Sequence, residues 1–230
     1  WALDLDDLRR SLRPNTRVIV VNTPHNPTGL LISHQDYAQI HAIAQERGIL
    51  VFSDEVYRES EYDPSERLPA GCDLNPQAVS LGVMSKTYGL AGLRIGWVAS
   101  RNAEVLAKMA ALKDYTTICA SAPAEFLAEL ALRHRQQLAQ RNIALIQRNL
   151  RLLDRFFERQ ARLFSWQRPR AASIAYPRSL GGPIDPFCRR LVSEAGVLLL
   201  PGTLFGDQDD HLRLGFGRAD APQAIERLEA

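Results

Sequence analysis

Short apolar runs alternate with amphipathic segments along the first part of the chain, and this pattern predicts an α/β organisation. RVIVVN (17–22) and ILVFS (49–53) are dense in apolar, mostly β-branched residues and are short enough for buried strands. Between them, apolar residues recur at helical spacing over 37–44, after Ser33, a predicted capping residue, and before Gly48, a typical C-terminal glycine. A strand, a helix and a strand in this order predict two parallel strands joined by a right-handed crossover.

The rest of the chain changes its pattern near Pro169. Before that point it predicts two further strands, at 78–84 and 94–100, and three further helices, at 4–12, 102–114 and 122–160. After it come short apolar runs and one helix near 185–195, which indicate a smaller α+β unit. We therefore expect a larger domain over residues 1–140, built on a mainly parallel sheet with flanking helices, and a small C-terminal domain over residues 141–230.

Composition and charge narrow the class of protein. Of the 230 residues, 46% are hydrophobic and 23% are charged, and the formal net charge is only +2. These values are ordinary for a globular protein, so we expect neither a nucleic-acid partner nor a membrane partner. Three cysteines lie far apart (Cys72, Cys119 and Cys188) and five histidines are dispersed, so we expect a reducing, cytoplasmic location and no metal site.

Polar side chains follow three of the predicted strands at the point where each strand ends. NTPHNPTG (22–29) follows the first strand, SDEVY (53–57) ends the second, and Ser85 and Lys86 follow the third. Because ligands of open parallel sheets bind beyond the carboxyl ends of the strands, these segments are candidates for one binding site.

Each of these features also has an ordinary structural explanation when it is taken alone. NPTG suits any turn, and Lys86 is compatible with a surface lysine whose amine reaches water. SKT resembles the end of a phosphate-binding loop, but that motif requires glycines where this chain has Ser80 and Ser85. A dinucleotide-binding fingerprint fails too, because the glycines after Lys86 lead into another strand and do not open a helix. Their joint occurrence at successive strand ends favours a functional site.

Four stretches, VVNTPHNPTG, VFSDEVY, MSKTYGLAGLRIGW and HLRLGFG, together resemble the class I/II aminotransferases, which are fold-type-I enzymes dependent on pyridoxal 5'-phosphate. The resemblance covers essentially the whole chain. It implies part of a mainly parallel PLP-transferase sheet with flanking helices, plus a small C-terminal α+β domain. It also implies a reaction, the transfer of an amino group between an α-amino acid and a 2-oxo acid by way of a lysine Schiff base.

The resemblance makes Lys86 the catalytic residue. Its amine would form the imine with the cofactor aldehyde and, once freed by substrate, would move a proton between the substrate and the cofactor. Asp54 would keep the pyridine nitrogen protonated, so that the ring withdraws electrons from the reacting carbon. An amine that forms an imine must be neutral, and we therefore expect Lys86 to be buried and close to positive charge.

The resemblance also assigns the remaining binding residues. Asn26 and Tyr57 would hydrogen-bond the ring oxygen of the cofactor, and Ser85 and Arg94 would hold its phosphate. Arg213 would bind the α-carboxylate of the substrate through the planar fork of its guanidinium.

Members of this family usually carry a long segment before the part that is matched here. That segment supplies strands, a phosphate loop and an aromatic ring that stacks on the cofactor. We therefore expect this chain to lack its N-terminal part, and a full-length form to be a homodimer. Two alternatives to transamination stay open: another reaction of the same cofactor (lyase, decarboxylase or cyclase), or an inactive truncated fragment.

Overall fold

The computed structural model describes residues 1–229, and the chain divides into two compact units. The first unit comprises residues 1–24 and 30–140, and the second comprises residues 25–29 and the chain from 141 onward. The strands of the first unit are β1 (Val18–Asn22), β2 (Leu50–Asp54), β3 (Val79–Val83) and β4 (Gly96–Ser100). Its helices are α1 (Leu5–Ser11), α2 (His34–Glu46), α3 (Gly71–Leu74), α4 (Ala103–Asp114) and α5 (Ala122–Arg133), and α6 (Arg135–Arg159) begins in it.

The four strands of the first unit form one sheet in the order β1-β2-β3-β4. The pairs β1-β2 and β2-β3 are parallel, as the sequence predicts, whereas β4 runs antiparallel to β3. Because of this reversal, the last residue of β3, Val83, lies opposite the first residue of β4, Gly96. The carboxyl ends of three strands and the start of the fourth therefore share one edge of the sheet.

The β1-α2-β2 segment forms the core of the first unit. Ser33 caps α2, because its hydroxyl accepts the backbone N–H of Asp36 at 3.0 Å, and Gly48 adopts a left-handed φ of 64° just after the helix. The apolar face of α2 packs on alternate residues of the strands in one buried cluster: Ile19, Val21, Tyr37, Ile40, Ala44, Ile49, Val51, Leu68 and Ala78. The predicted βαβ unit is confirmed.

The helix predicted over 122–160 is wrong as a single element. The structure has two helices, α5 and α6, separated at His134, whose backbone (φ −107°, ψ 18°) leaves the helical region. No glycine or proline marks this break in LRHRQQ, so the sequence carries no local signal for it. Within residues 1–229, no helix combines the length and the apolar character that crossing a bilayer requires.

The second unit has short strands and two helices beyond α6. Its strands are β5 (Phe164–Ser165), β6 (Ile174–Ala175), β7 (Arg178–Ser179), β8 (Leu200–Pro201) and β9 (Leu212–Gly215), and its further helices are α7 (Ile184–Arg190) and α8 (Ala221–Glu229). A π-helical turn, Leu191–Ala195, continues α7, so the predicted helix near 185–195 is confirmed. β6, β9 and β8 form an antiparallel sheet with β9 in the middle.

Candidate active site

The end of β2 supplies a carboxylate whose position is fixed by the backbone around it. The carbonyl of Asp54 accepts the N–H of Thr23 at 3.1 Å, which ties the end of β2 to the residue after β1. Its carboxylate accepts the N–H of Val56 at 3.2 Å, and the side chain is only partly buried. One carboxylate oxygen is thus held by the turn.

Tyr57 and Lys86 lie close together at the same edge of the sheet. The Lys86 amine is 5.5 Å from the centre of the Tyr57 ring, within the range of a cation–π contact, and the tyrosine is buried. Lys86 itself is exposed, so the burial that the sequence analysis expects for this side chain is wrong for the described residues. Lys86 lies three residues past the end of β3, in the turn that follows this strand.

The loop that joins Lys86 to β4 is folded back on itself by backbone hydrogen bonds. Gly89 donates to the carbonyl of Lys86 at 3.0 Å, and Leu90 donates to the carbonyl of Met84 at 3.0 Å. Arg94 closes the loop in the left-handed region (φ 54°, ψ 36°), which is uncommon for residues other than glycine. Arg94 lies two residues before β4, and its side chain is exposed.

Two residues that the sequence analysis does not assign connect this loop to the segment that carries Tyr57. The hydroxyl of Thr87 donates to the carbonyl of Arg58 at 2.7 Å, and that of Tyr88 donates to the carboxylate of Glu59 at 3.0 Å. Burial and the adjacent Glu59 raise the pKa of Tyr88 to about 12, so the phenol stays protonated and can donate. The only sequence signal was their place after Lys86, because their partners lie 29 residues away.

The other two candidate residues, Asn26 and Arg213, belong to the second unit and contact each other there. The Nη1 atom of Arg213, on β9, donates to Oδ1 of Asn26 at 3.3 Å across 187 residues of sequence. The turn that carries Asn26 ends at Gly29, which has a φ of 69°. A Cβ atom on Gly29 would lie 2.6 Å from the Cβ of Pro169, so only glycine fits this turn as it stands.

One group of possible metal ligands occurs in the described residues, although the sequence spacing suggested none. Ligand atoms of Asp207, Asp209 and His211 lie within 4.8 Å of one another. Two of these ligand atoms already contact each other, because Asp207 Oδ2 is 2.6 Å from His211 Nδ1. This arrangement is explained as a loop-stabilising contact.

Comparison with known proteins finds similar proteins over almost the whole chain. The sequence profile described as "Aminotransferase class I and II" matches residues 1–228. Capreomycidine synthase of Streptomyces vinaceus is 31% identical over 218 residues, which are 94% of this chain and 55% of that protein.

Two solved structures superpose closely. A PLP-dependent aminotransferase from Streptococcus suis 89-1591 has a TM-score of 0.91 and 35% identity, covering 99% of this chain and 60% of that chain. The PLP-dependent cyclase OrfR has a TM-score of 0.87 and 32% identity, covering 99% of this chain and 62% of that chain. This chain therefore spans little more than half to three fifths of the length of these relatives, and within that span it belongs to the class I and II aminotransferase family.

Proposed function

We propose that the protein containing this chain is a pyridoxal-phosphate-dependent aminotransferase that moves an amino group between an α-amino acid and a 2-oxo acid. One observation carries the proposal: the fold gathers a carboxylate, a phenol, a hydroxyl, an amine and a guanidinium at one edge of a mainly parallel sheet. These groups belong to Asp54, Tyr57, Ser85, Lys86 and Arg94.

The chemistry of this set of groups fits the cofactor. A carboxylate suits a protonated pyridine nitrogen, an amine suits an aldehyde, and a guanidinium and a hydroxyl suit a phosphate. Both cationic side chains, Lys86 and Arg94, are exposed, so they are accessible to a ligand. The turn after β2 leaves the Asp54 side chain only partly buried, which lets it serve the same ligand.

When bound, pyridoxal phosphate supplies an electron sink for charge that develops on the α-carbon of the substrate. The residues of this chain would supply the proton transfer and the binding of the substrate. Asp54 would hold a proton on the ring nitrogen, and Lys86 would take a proton from the substrate α-carbon and deliver it to the C4′ carbon of the cofactor. In the second unit, Arg213 binds the α-carboxylate through two parallel N–H groups, while Asn26 occupies its remaining Nη1–H.

The attachment of the cofactor can be tested cleanly because the sequence contains only three lysines, Lys86, Lys108 and Lys113. With pyridoxal phosphate, the purified chain should give a visible absorbance band, and borohydride should fix the cofactor to the peptide that contains Lys86. Lys86→Ala should abolish both signals. Lys108→Ala is the matched control, since Lys108 is an exposed helical lysine paired with Glu104 at 2.6 Å. Labelling that persists in Lys86→Ala would refute the assignment.

The reaction itself is tested by adding amino acids to the loaded protein. Alanine, glutamate, aspartate, phenylalanine and arginine should be incubated in turn, and pyridoxamine phosphate should be measured by chromatography. Its formation from at least one of them is expected of an aminotransferase. If none gives pyridoxamine phosphate while the Lys86 adduct forms, transamination of these five amino acids is ruled out and cofactor binding is not.

A second candidate is a cyclisation on the same cofactor. It is supported by likeness to OrfR, whose name describes a PLP-dependent cyclase, at 32% identity over 99% of this chain. In that case one amino acid of the panel would be consumed to give a cyclic product, and pyridoxamine phosphate would not accumulate. The two outcomes are separated by mass spectrometry of the same reaction mixtures.

We further propose that residues 1–140 belong to the cofactor-binding domain and that 141–230 form the small domain. The division of contacts between Gln140 and Arg141 supports this boundary. A homodimer in the cytoplasm is also proposed, and three free cysteines are compatible with a reducing compartment.

A further inference from the structure

The guanidinium of Arg213 is held from two directions within the second unit. Its hydrogen bond to Asn26 is 3.3 Å long, just beyond the usual range of about 2.7–3.2 Å for N–H···O hydrogen bonds. On another side, its Cζ atom lies 5.3 Å from the centre of the Phe205 ring, inside the range of a cation–π contact. A long hydrogen bond does not fix a planar group alone, so the ring is the second constraint on its orientation.

Phe205 is itself fixed by a small aromatic cluster. The ring of Tyr176 meets it edge to face, with centroids 6.0 Å apart and an interplanar angle of 88°. Tyr176 in turn stacks on His211, at 5.0 Å and 6°, and His211 Nδ1 lies 2.6 Å from Asp207 Oδ2. Burial and the neighbouring Asp207 raise the pKa of Tyr176, so its phenol stays neutral in this cluster.

The loop that carries Phe205 is closed against the start of β9. Gly202 donates to the carbonyl of His211 at 2.7 Å, and Asp207 donates to the carbonyl of Gly202 at 3.1 Å. A Cβ atom on Gly202 would lie 2.7 Å from the Tyr176 hydroxyl and 2.8 Å from the His211 carbonyl, so no side chain fits. The backbone of this loop is therefore clamped two residues before Arg213.

Phe205 is 40% exposed, so its ring is not a buried part of the core. From these contacts we propose that Phe205 is a positioning residue, which holds the Arg213 guanidinium in the orientation that receives the substrate carboxylate. This proposal rests on the proposed function of Arg213. The ring contacts the guanidinium without accepting an N–H group from it, so the N–H groups that Asn26 does not take stay available for the ligand, whereas an acidic partner would accept them.

The orientation can be measured without catalysis through the reactivity of Arg213 toward phenylglyoxal, followed by mass spectrometry of its peptide. Phe205→Leu keeps an apolar side chain but removes the ring face. Its expected effect is a rate about 2- to 5-fold higher, the factor that corresponds to a cation–π contact of about 0.5–1 kcal/mol. Phe205→Trp restores a ring face and should return the rate toward that of the wild type.

Two controls separate positioning from general loosening of the loop. Leu204→Ala removes a side chain that is 67% exposed, one position earlier, and should leave the Arg213 rate unchanged. Arg178, whose Nε donates to the carbonyl of Asp209 in the same loop, is the internal reference. A wild-type rate in Phe205→Leu, an equal rise at Arg178, or failure of Phe205→Trp to restore the rate would overturn the proposal.

A ligand-protection measurement distinguishes failure of this proposal from failure of the proposed function. In the protein loaded with pyridoxal phosphate, L-alanine should protect Arg213 from phenylglyoxal, and L-alaninamide, which lacks the carboxylate, should not. Protection that weakens by the same 2- to 5-fold factor in Phe205→Leu supports the proposal. Equal lack of protection by both compounds in the wild type would overturn the carboxylate role of Arg213, while the rates without ligand would still report the Phe205 contact.

Discussion

A buried histidine in α2 predicts a specific loss of stability in mild acid. His41 is only 3% exposed, packs edge-on against Tyr37 with ring centroids 4.6 Å apart, and has no hydrogen-bond partner for either ring nitrogen within residues 1–229. Burial disfavours its charged form and lowers its pKa from 6.5 to about 4. The folded state therefore binds fewer protons than the unfolded state between these two values, and stability falls as the pH falls through this window.

The magnitude follows from the two pKa values. At about pH 5, the unfolded histidine is almost fully protonated and the folded one is almost neutral, and the linkage relation gives a loss of about 2 kcal/mol. Above about pH 7.5, both forms are neutral and the contribution vanishes. His41→Leu removes the titration and, because no hydrogen bond is lost, leaves no partner unsatisfied.

Urea unfolding followed by circular dichroism at a series of pH values measures this effect. As the pH falls from about 7.5 to about 5, the free energy of unfolding of the wild type should drop by about 2 kcal/mol relative to that of His41→Leu. His34→Leu, which removes an exposed histidine from the same helix, is the matched control and should follow the wild type. Parallel pH profiles for wild type and His41→Leu would refute the reasoning, since they would mean that His41 titrates alike in both states.

Three further predictions follow from single contacts. Gly29→Ala should destabilise the second unit by about 2 kcal/mol or more in thermal unfolding, because its Cβ would clash with Pro169 and its φ is positive; an unchanged midpoint would contradict this. Asn149→Ala should lower the free energy of unfolding by about 2–3 kcal/mol, since the fully buried amide donates to two backbone carbonyls at 2.7 and 2.8 Å. Urea unfolding checks it, and loss of the partly buried Asn102 cap is the contrast, expected to cost about 1 kcal/mol. Arg213→Lys should lower kcat/KM for the best amino acid by roughly 10- to 100-fold, because lysine cannot form the two-pronged contact; steady-state kinetics with an unaltered rate would contradict it.

The local elements were predictable because their signals are local. The β1-α2-β2 unit follows from a β-branched run, a capping serine, helical spacing and a terminal glycine, and the structure has each of them. The break between α5 and α6 was not predictable, because His134 and its neighbours are ordinary helix residues. The end of α5 therefore has no local signal in the sequence.

By itself, the sequence determined which residue types end the strands, and therefore which chemistry the sheet edge can offer. Parallel pairing then brings Asp54 and Lys86 to the same edge, since parallel strands end on the same side. The tertiary structure decided what strand order and spacing do not encode. It reversed β4, so that Arg94 returns to that edge, and it placed Arg213 against Asn26 and Phe205. Contacts of this kind depend on how distant segments pack, and the energy of that packing is absent from any local pattern of residues.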